Sequence, residues 1–307
     1  MTRAASQSPP PMEPTPAPEL DLSARPSWRV VKNGLMTGLM VLAFLLVAVP
    51  LVAILWSVIA KGARTAFAGF PAFFVEQIPI VSRRPGPGMG PAILGTLLVT
   101  GAATLMAVPV GILGAVYLHE YGGQNRFARL VRFMAMVMTG VPSIVMGLFV
   151  YILWTLHLGY SAFGGALALA CLMLPVVIGS TEQMLKLVPT HLREAAYALG
   201  ASKSRTIVTV ALPAALPGIV SGSLLAVARA AGETAPLLFA VGAATAFNPH
   251  LFDGANTALS VQIFANANTS FLGSQERAWG AALTLVALTF LVTLVARLFT
   301  ARLALKR

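Results

Sequence analysis

Arg229 and Glu233 are the only charged residues between Arg205 and Asp253, and they stand inside the apolar run ARAAGETAPLLF, Ala228 to Phe239. A lone charge at mid-membrane depth is costly, and a paired one costs less. Their four-residue separation puts them on one face if the helix is unbroken. Two roles fit. The pair can lock two helices together, or Arg229 can be a cationic point on the path of an anion. Arginine suits oxyanions because its planar fork of donors matches carboxylate and phosphate geometry. Glu233 would then hold Arg229 in place and limit trapping of the anion. Two hydroxyls are grouped with them, Thr234 next in the chain and Ser143 after Pro142 in another apolar block. The Ser143 hydroxyl can line a path, or rebond a carbonyl freed by the proline; the backbone role is the one expected.

A second constellation is EAAYALGASKSRTIVTVALP, Glu194 to Pro213. It favours helix as far as Gly200, where a residue without a Cβ allows a change of direction. A helix, a glycine and a second helix of mixed charge suit docking on another protein. Composition by itself favours a solvated interhelical loop. Lys203 and Arg205 can meet acids of such a partner or simply flank a membrane. Glu182 and Lys186, four apart at the end of an apolar block, read as an exposed pair. Cys171 is expected to be a packing residue. His119, His157, His191 and His250 are scattered without metal-ligand spacing, so no metal site is expected. The chain has no Gly-rich loop of Walker type, no G-x-S-x-G and no H-E-x-x-H.

These residues are carried by an extremely apolar chain. Of its 307 residues 57% are hydrophobic and 10% charged, against about 25% charged in an average soluble domain. Something other than water must solvate it. The net charge of +11 raises nucleic acid as a partner, but the cations sit between apolar blocks, as flanking charge does in membrane proteins. No nucleic-acid role is expected. Six blocks follow one another, from about Leu35 to Ile59, Ile93 to Leu118, Phe133 to Leu156, Ala162 to Gly179, Leu212 to Gly242 and Trp279 to Leu298. Each approaches the ~20 residues of helix that cross a bilayer, and their lack of alternation excludes a barrel. The fifth is too long for one straight span and contains Pro213, Pro217, Gly218, Gly222, Gly232 and Pro236, which predicts a tilted, kinked or broken helix with close approach at Gly218 and Gly222.

With the N-terminus in the cytoplasm, fifteen Lys and Arg fall on cytoplasmic segments and five (Lys61, Arg64, Arg83, Arg84, Arg277) on outer ones. That bias puts both termini inside. Residues 1–28 are rich in proline and read as a disordered tail, not a signal peptide, because the first apolar block starts too late and runs too long. The expected organisation is the tail at 1–28, a first span and outer loop at 29–90, a core at 91–300 and a basic end at 301–307. The fold class is all-α, a polytopic membrane protein of about six transmembrane helices.

The Glu194–Pro213 run resembles the EAA motif of binding-protein-dependent ABC permeases, with Glu194, Ala195, Ala196, Gly200, Leu212 and Pro213 at matching positions and Val210 where isoleucine is usual. The Arg229–Leu238 run resembles the fifth span of phosphate-import permeases of the PstA type, as do GVPSIVMGLF (Gly140 to Phe149) and PVGILGAVYLHEYGG (Pro109 to Gly123). The resemblance covers about residues 90–300. It implies a type-1 ABC importer permease fold in the cell membrane, with 187–206 as a coupling segment inserted into an ATPase subunit. It further implies a homologous second permease, two ATPase subunits and an external phosphate-binding protein. ATP and Mg would be used by the ATPase, and this chain would bind no cofactor and be no enzyme. A permease for molybdate or sulfate is the rival within the class. A polytopic membrane enzyme is the rival outside it, and it lacks a cluster of polar catalytic residues.

Overall fold

The structure, a computed structural model, describes residues 28–80, 88–123 and 125–305, with side chains as far as Leu298. The proline-rich tail, the outer cations Arg83 and Arg84, and the terminal Lys306 and Arg307 lie outside the described residues. Among those described there are helices and turns and no strand. That is what apolar blocks of this length require, since a helix satisfies its backbone groups internally.

The chain divides between Ala53 and Ile54, inside helix α1 (Trp28–Ala68), into two compact units. The first is the N-terminal part of α1. Its side chains are exposed except half-buried Ala48, an apolar surface that only lipid or another protein can cover.

The second unit holds the end of α1 and every later element. Short α2 (Ala72–Val75) precedes α3 (Gly90–Val116), which continues as a π-helical turn, Tyr117–Tyr121. Helix α4 (Arg126–Gly140) is followed by α5 (Ser143–Val150), a π turn at Tyr151–Thr155 and one turn of α6 (Leu156–Leu158). Next come α7 (Ala162–Lys186), α8 (Thr190–Ala198), α9 (Lys203–Thr206) and a third π turn, Ile207–Ala211. Helices α10 (Leu212–Gly232), α11 (Ala235–Ala240), α12 (Leu259–Ala267) and α13 (Leu272–Leu305) complete it.

Among the described residues five helices are long and apolar enough to cross a membrane, and a sixth span results if α4 and the helix from Ser143 to Leu158 count as one. Two expectations need correction here. The block from Phe133 to Leu156 is not one straight helix: it breaks at Val141–Pro142 and turns through 107°. Proline lacks an N–H and pushes the preceding residue out of the helical region. Val141 accordingly takes φ −70°, ψ 128°. The first helix also runs past Ile59 to Ala68, so Lys61 and Arg64 lie on it and not in a loop.

The core is the contact of α3 with α7. Val99, Ala103 and Ala107 interdigitate with Ala166, Leu169, Met173 and Val177. Small residues let the backbones approach closely, since a Cβ added to Gly111 would lie 2.7 Å from Val177 Cγ1. Helix α10 lies on the same α7. A Cβ at Gly222 would stand 2.5 Å from Ser180 Oγ, and one at Gly218 would overlap the Met184 side chain. The anticipated close approach is therefore made, and its partner is α7. The start of α3 is fixed separately by a cluster of Phe73, Ile78, Met89 and Leu259, where Met89 N–H donates to Phe73 O at 2.7 Å.

Candidate functional site

The expected break in the fifth block falls between the two charged residues. Helix α10 ends at Gly232. Glu233 is extended (φ −68°, ψ 131°), and its N–H still donates to Ala230 O at 3.1 Å. Gly232 is a weak helix former, and a continuous helix would place the Pro236 ring against the Gly232 carbonyl. Proline is instead accommodated in the first turn of α11. The unbroken face that the spacing suggested is thus absent, yet the side chains meet across the break. Arg229 Nε lies 3.6 Å from Glu233 Oε1, with the arginine side chain 71% exposed and the glutamate 20%. Ser260 Oγ donates to Glu233 O at 2.9 Å and ties the break to α12. Nothing in the spacing of the chain pointed to Ser260.

The break in α10–α11 packs on the break in α4–α5. A Cβ at Gly147 of α5 would lie 2.5 Å from Pro236 Cα. Where the two meet, a cavity of about 230 Å3 is lined by Val141, Pro142, Ser143, Pro175, Arg229 and Glu233, among others. Three of the four expected path residues come together there, and Thr234 does not. It sits between α10 and α11, where its carbonyl accepts from Leu237 N–H and Leu238 N–H at 3.1 and 3.2 Å. Ser143 is the first residue of α5. Its hydroxyl makes no hydrogen bond among the described residues, so the expected repair of a freed carbonyl is not seen, and Ser143 lines the cavity. A cation, a carboxylate and a free hydroxyl at one recess can strip and orient a small oxyanion. No three His, Cys, Asp or Glu side chains gather as metal ligands would among the described residues.

The second constellation lies at the far end of α3 from Met89. Helix α8 closes on a left-handed Gly200 (φ +80°), with Gly200 N–H donating to Tyr197 O at 2.9 Å and Ala201 N–H to Ala196 O at 3.0 Å. This is the glycine-terminated cap with two backward bonds. Glu194 and Ala195 are exposed and Ala196 is buried. Leu212 and Pro213 open α10, and Leu212 packs half-buried beside Leu185, Val188 and Ala215.

Two readings of charge are corrected here. Lys203 is occupied within the chain: its ammonium donates to Glu120 O and stands 4.8 Å from the centre of the Tyr121 ring. Glu182 is not an exposed partner of Lys186 alone. It is 8% exposed and pairs with Arg132 at 3.1 Å as well as Lys186 at 3.2 Å. Arg132 also donates to Leu118 O at 2.6 Å. Sequence reading also missed the ion pair of Arg193 with Glu120, 2.6 Å apart. The signal was available in Glu120, an acid closing the second apolar block beside interhelical segments rich in arginine.

The comparisons agree with this architecture. The family model described as "Binding-protein-dependent transport system inner membrane component" matches residues 107–305. The phosphate transport system permease protein PstA 1 of Mycobacterium tuberculosis H37Rv is 43% identical over 272 residues, covering 87% of this chain and 87% of that one. The PstA protein of Haemophilus influenzae Rd is 37% identical over 275 residues, 89% of this chain and 95% of that one. Among solved structures, a bacterial ABC transporter involved in import of the acidic polysaccharide alginate superposes with a TM-score of 0.58 at 15% identity. It covers 90% of this chain and 98% of its own. At that identity the likeness concerns the fold, which is the all-α type-1 ABC permease fold expected from the sequence. With broken spans, a capped Glu194–Gly200 element and relatives of this closeness, the chain is a multi-pass membrane protein that belongs to the binding-protein-dependent inner-membrane transport components and, within them, to the PstA permeases.

Proposed function

We propose that this chain forms half of the translocation path of an ATP-driven importer of inorganic phosphate. The observation that carries the reading is Arg229 at the cavity between two broken spans, with a carboxylate 3.6 Å away to orient it. The names of the PstA relatives support phosphate as the anion. The rest of the machine consists of a homologous second permease, two copies of an ATPase subunit using ATP and Mg, and an extracytoplasmic phosphate-binding protein. Both termini are cytoplasmic, which puts the Glu194–Gly200 region on the ATPase side and Asp253 outside.

The energetics require a source of free energy, and a partner that hydrolyses ATP is a sufficient one. Bringing a divalent anion into a cell whose interior is about 100 mV negative costs roughly 4.6 kcal/mol, at about 2.3 per charge. Arg229 offers the anion an exposed, planar fork of donors in the path. Glu233 keeps the net local charge near zero, so that the anion is held weakly enough to leave. Closure of the ATPase subunits moves α8, and the spans rock from outward- to inward-facing. Uptake of ³²P-phosphate in cells lacking this chain, with and without the gene restored, tests the reading. Restored uptake of phosphate but not of sulfate or molybdate is expected. Restoration of either other oxyanion with no effect on phosphate overturns it.

A further inference from the structure

The ion pair of Arg193 with Glu120 joins three segments that are far apart in the chain. Arg193 belongs to α8, the helix that closes on Gly200. One of its terminal nitrogens donates to Glu120 Oε1 at 2.6 Å, in the π turn that ends α3. The other donates to Leu185 O at 3.0 Å, in the last turn of α7. Glu120 is 6% exposed and Arg193 16%, so the contact is shielded from water. The bidentate fork makes the orientation of α8 dependent on the ends of both helices at once.

Those two helices pack closely on one another, so that a Cβ added at Gly111 would fall 2.7 Å from Val177 Cγ1. Helix α7 also forms part of the recess beside Arg229, through Pro175 and Val176. Further along, α7 holds α4 through Glu182 and Arg132 at 3.1 Å, and α4 ends at the other wall of that recess. A displacement of α8 therefore reaches the recess through rigid, packed elements, with one charged contact as its first link. A carbonyl and a carboxylate on two different helices are an expensive way merely to hold a surface helix, because a buried pair gains little over apolar packing.

We propose that Arg193 and Glu120 are positioning residues for transport: the pair converts movement of α8 into movement of α3 and α7 and so links ATP hydrolysis to opening of the path at Arg229. The inference rests on the reading of the chain as half of an ATP-driven phosphate importer. Such a link is an energetic coupling between α8 and the recess.

The measurement is phosphate transported per ATP hydrolysed by the whole complex in proteoliposomes, with external binding protein present. Because it is a ratio, it does not depend on how much complex assembles. Glu120→Gln and Arg193→Gln are each expected to hydrolyse ATP while the ratio falls about tenfold, within the range typical of coupling between sites. The double variant should fall no further than Arg193→Gln alone, because that change already removes the bonds to both Glu120 and Leu185. Arg193→Lys, which keeps the charge but reaches one partner instead of two, should fall in between. It also decides the matter if neither neutral variant assembles. An unchanged ratio in Arg193→Lys and in any neutral variant that assembles overturns the proposal and leaves the pair a folding contact. Multiplying losses in the double variant also overturn it. If the unmodified complex moves no phosphate on ATP, the transport reading itself fails and takes this inference with it.

Discussion

Arg229 Nε lies 3.6 Å from Glu233 Oε1 although the helix that carries the arginine ends between them. The contact is made across a break, by an arginine that is mostly exposed and a glutamate that is mostly covered. Such a pair is poorly suited to locking helices, because its outer member remains solvated and contributes little. It leaves the cation at the lining of a cavity with a carboxylate beside it.

That arrangement separates two outcomes. Arg229→Gln should abolish phosphate uptake while the protein stays abundant in the membrane. Arg229→Gln combined with Glu233→Gln should be equally inactive. Arg229→Lys should retain little, since a point charge replaces a fork of donors. Uptake normalised to membrane abundance is the measurement, and recovery in the double variant would falsify the role of Arg229 in the path.

Gly200 adopts φ +80° with no atom near the place a Cβ would occupy. The penalty of a side chain there is conformational and not steric. Left-handed backbone costs a residue with a Cβ about 1–2 kcal/mol, and a β-branched one is a true outlier there, whereas asparagine is tolerated. Gly200→Val should reach the membrane but capture less ATPase subunit on purification, and Gly200→Asn should capture a normal amount. Equal capture by both variants would remove the link between this turn and docking.

Glu182 ties α7 to α4 through Arg132 and meets Lys186 on its exposed side. Breaking a fully buried pair costs about 3–5 kcal/mol. The Arg132 side chain is 37% exposed, which brings the expected cost of Glu182→Ala to roughly 2 kcal/mol. Lys186→Ala should cost less than about 1 kcal/mol, as exposed pairs do. Thermal unfolding of the purified protein in detergent checks both. A larger loss for Lys186→Ala than for Glu182→Ala would contradict the geometry.

Contacts between Glu120 and both Arg193 and Lys203 require the segments after α3 and α7 to share one side of the membrane. A reporter fused after Arg126 or after Lys203 should read cytoplasmic, and one near Asp253 external. Opposite readings at Arg126 and Lys203 are incompatible with the fold. Two external readings would keep the fold and reverse its orientation.

Much of this was legible in the chain itself. Apolar blocks long enough to span a bilayer dictate helices, because no other open structure satisfies its backbone in lipid. Gly200 marked the end of α8, and the prolines and glycines after Leu212 marked a broken span, since these residues act on their own backbone and need no partner. The isolation of Arg229 and Glu233 in apolar sequence, four residues apart, marked them as a pair, and their side chains do meet. The tertiary structure alone decided who meets whom. Arg132 finds Glu182 across 50 positions and Arg193 finds Glu120 across 73. Ser143 joins Arg229 at one cavity while Thr234, adjacent to Glu233, stays out of it. Hydropathy records how deeply a segment wants to be buried and nothing about which helix lies beside it. Neighbours are set by the fit of small residues such as Gly111, Gly147 and Gly222 into the opposing surface, and only after that fit is made do the charges at the helix ends have partners.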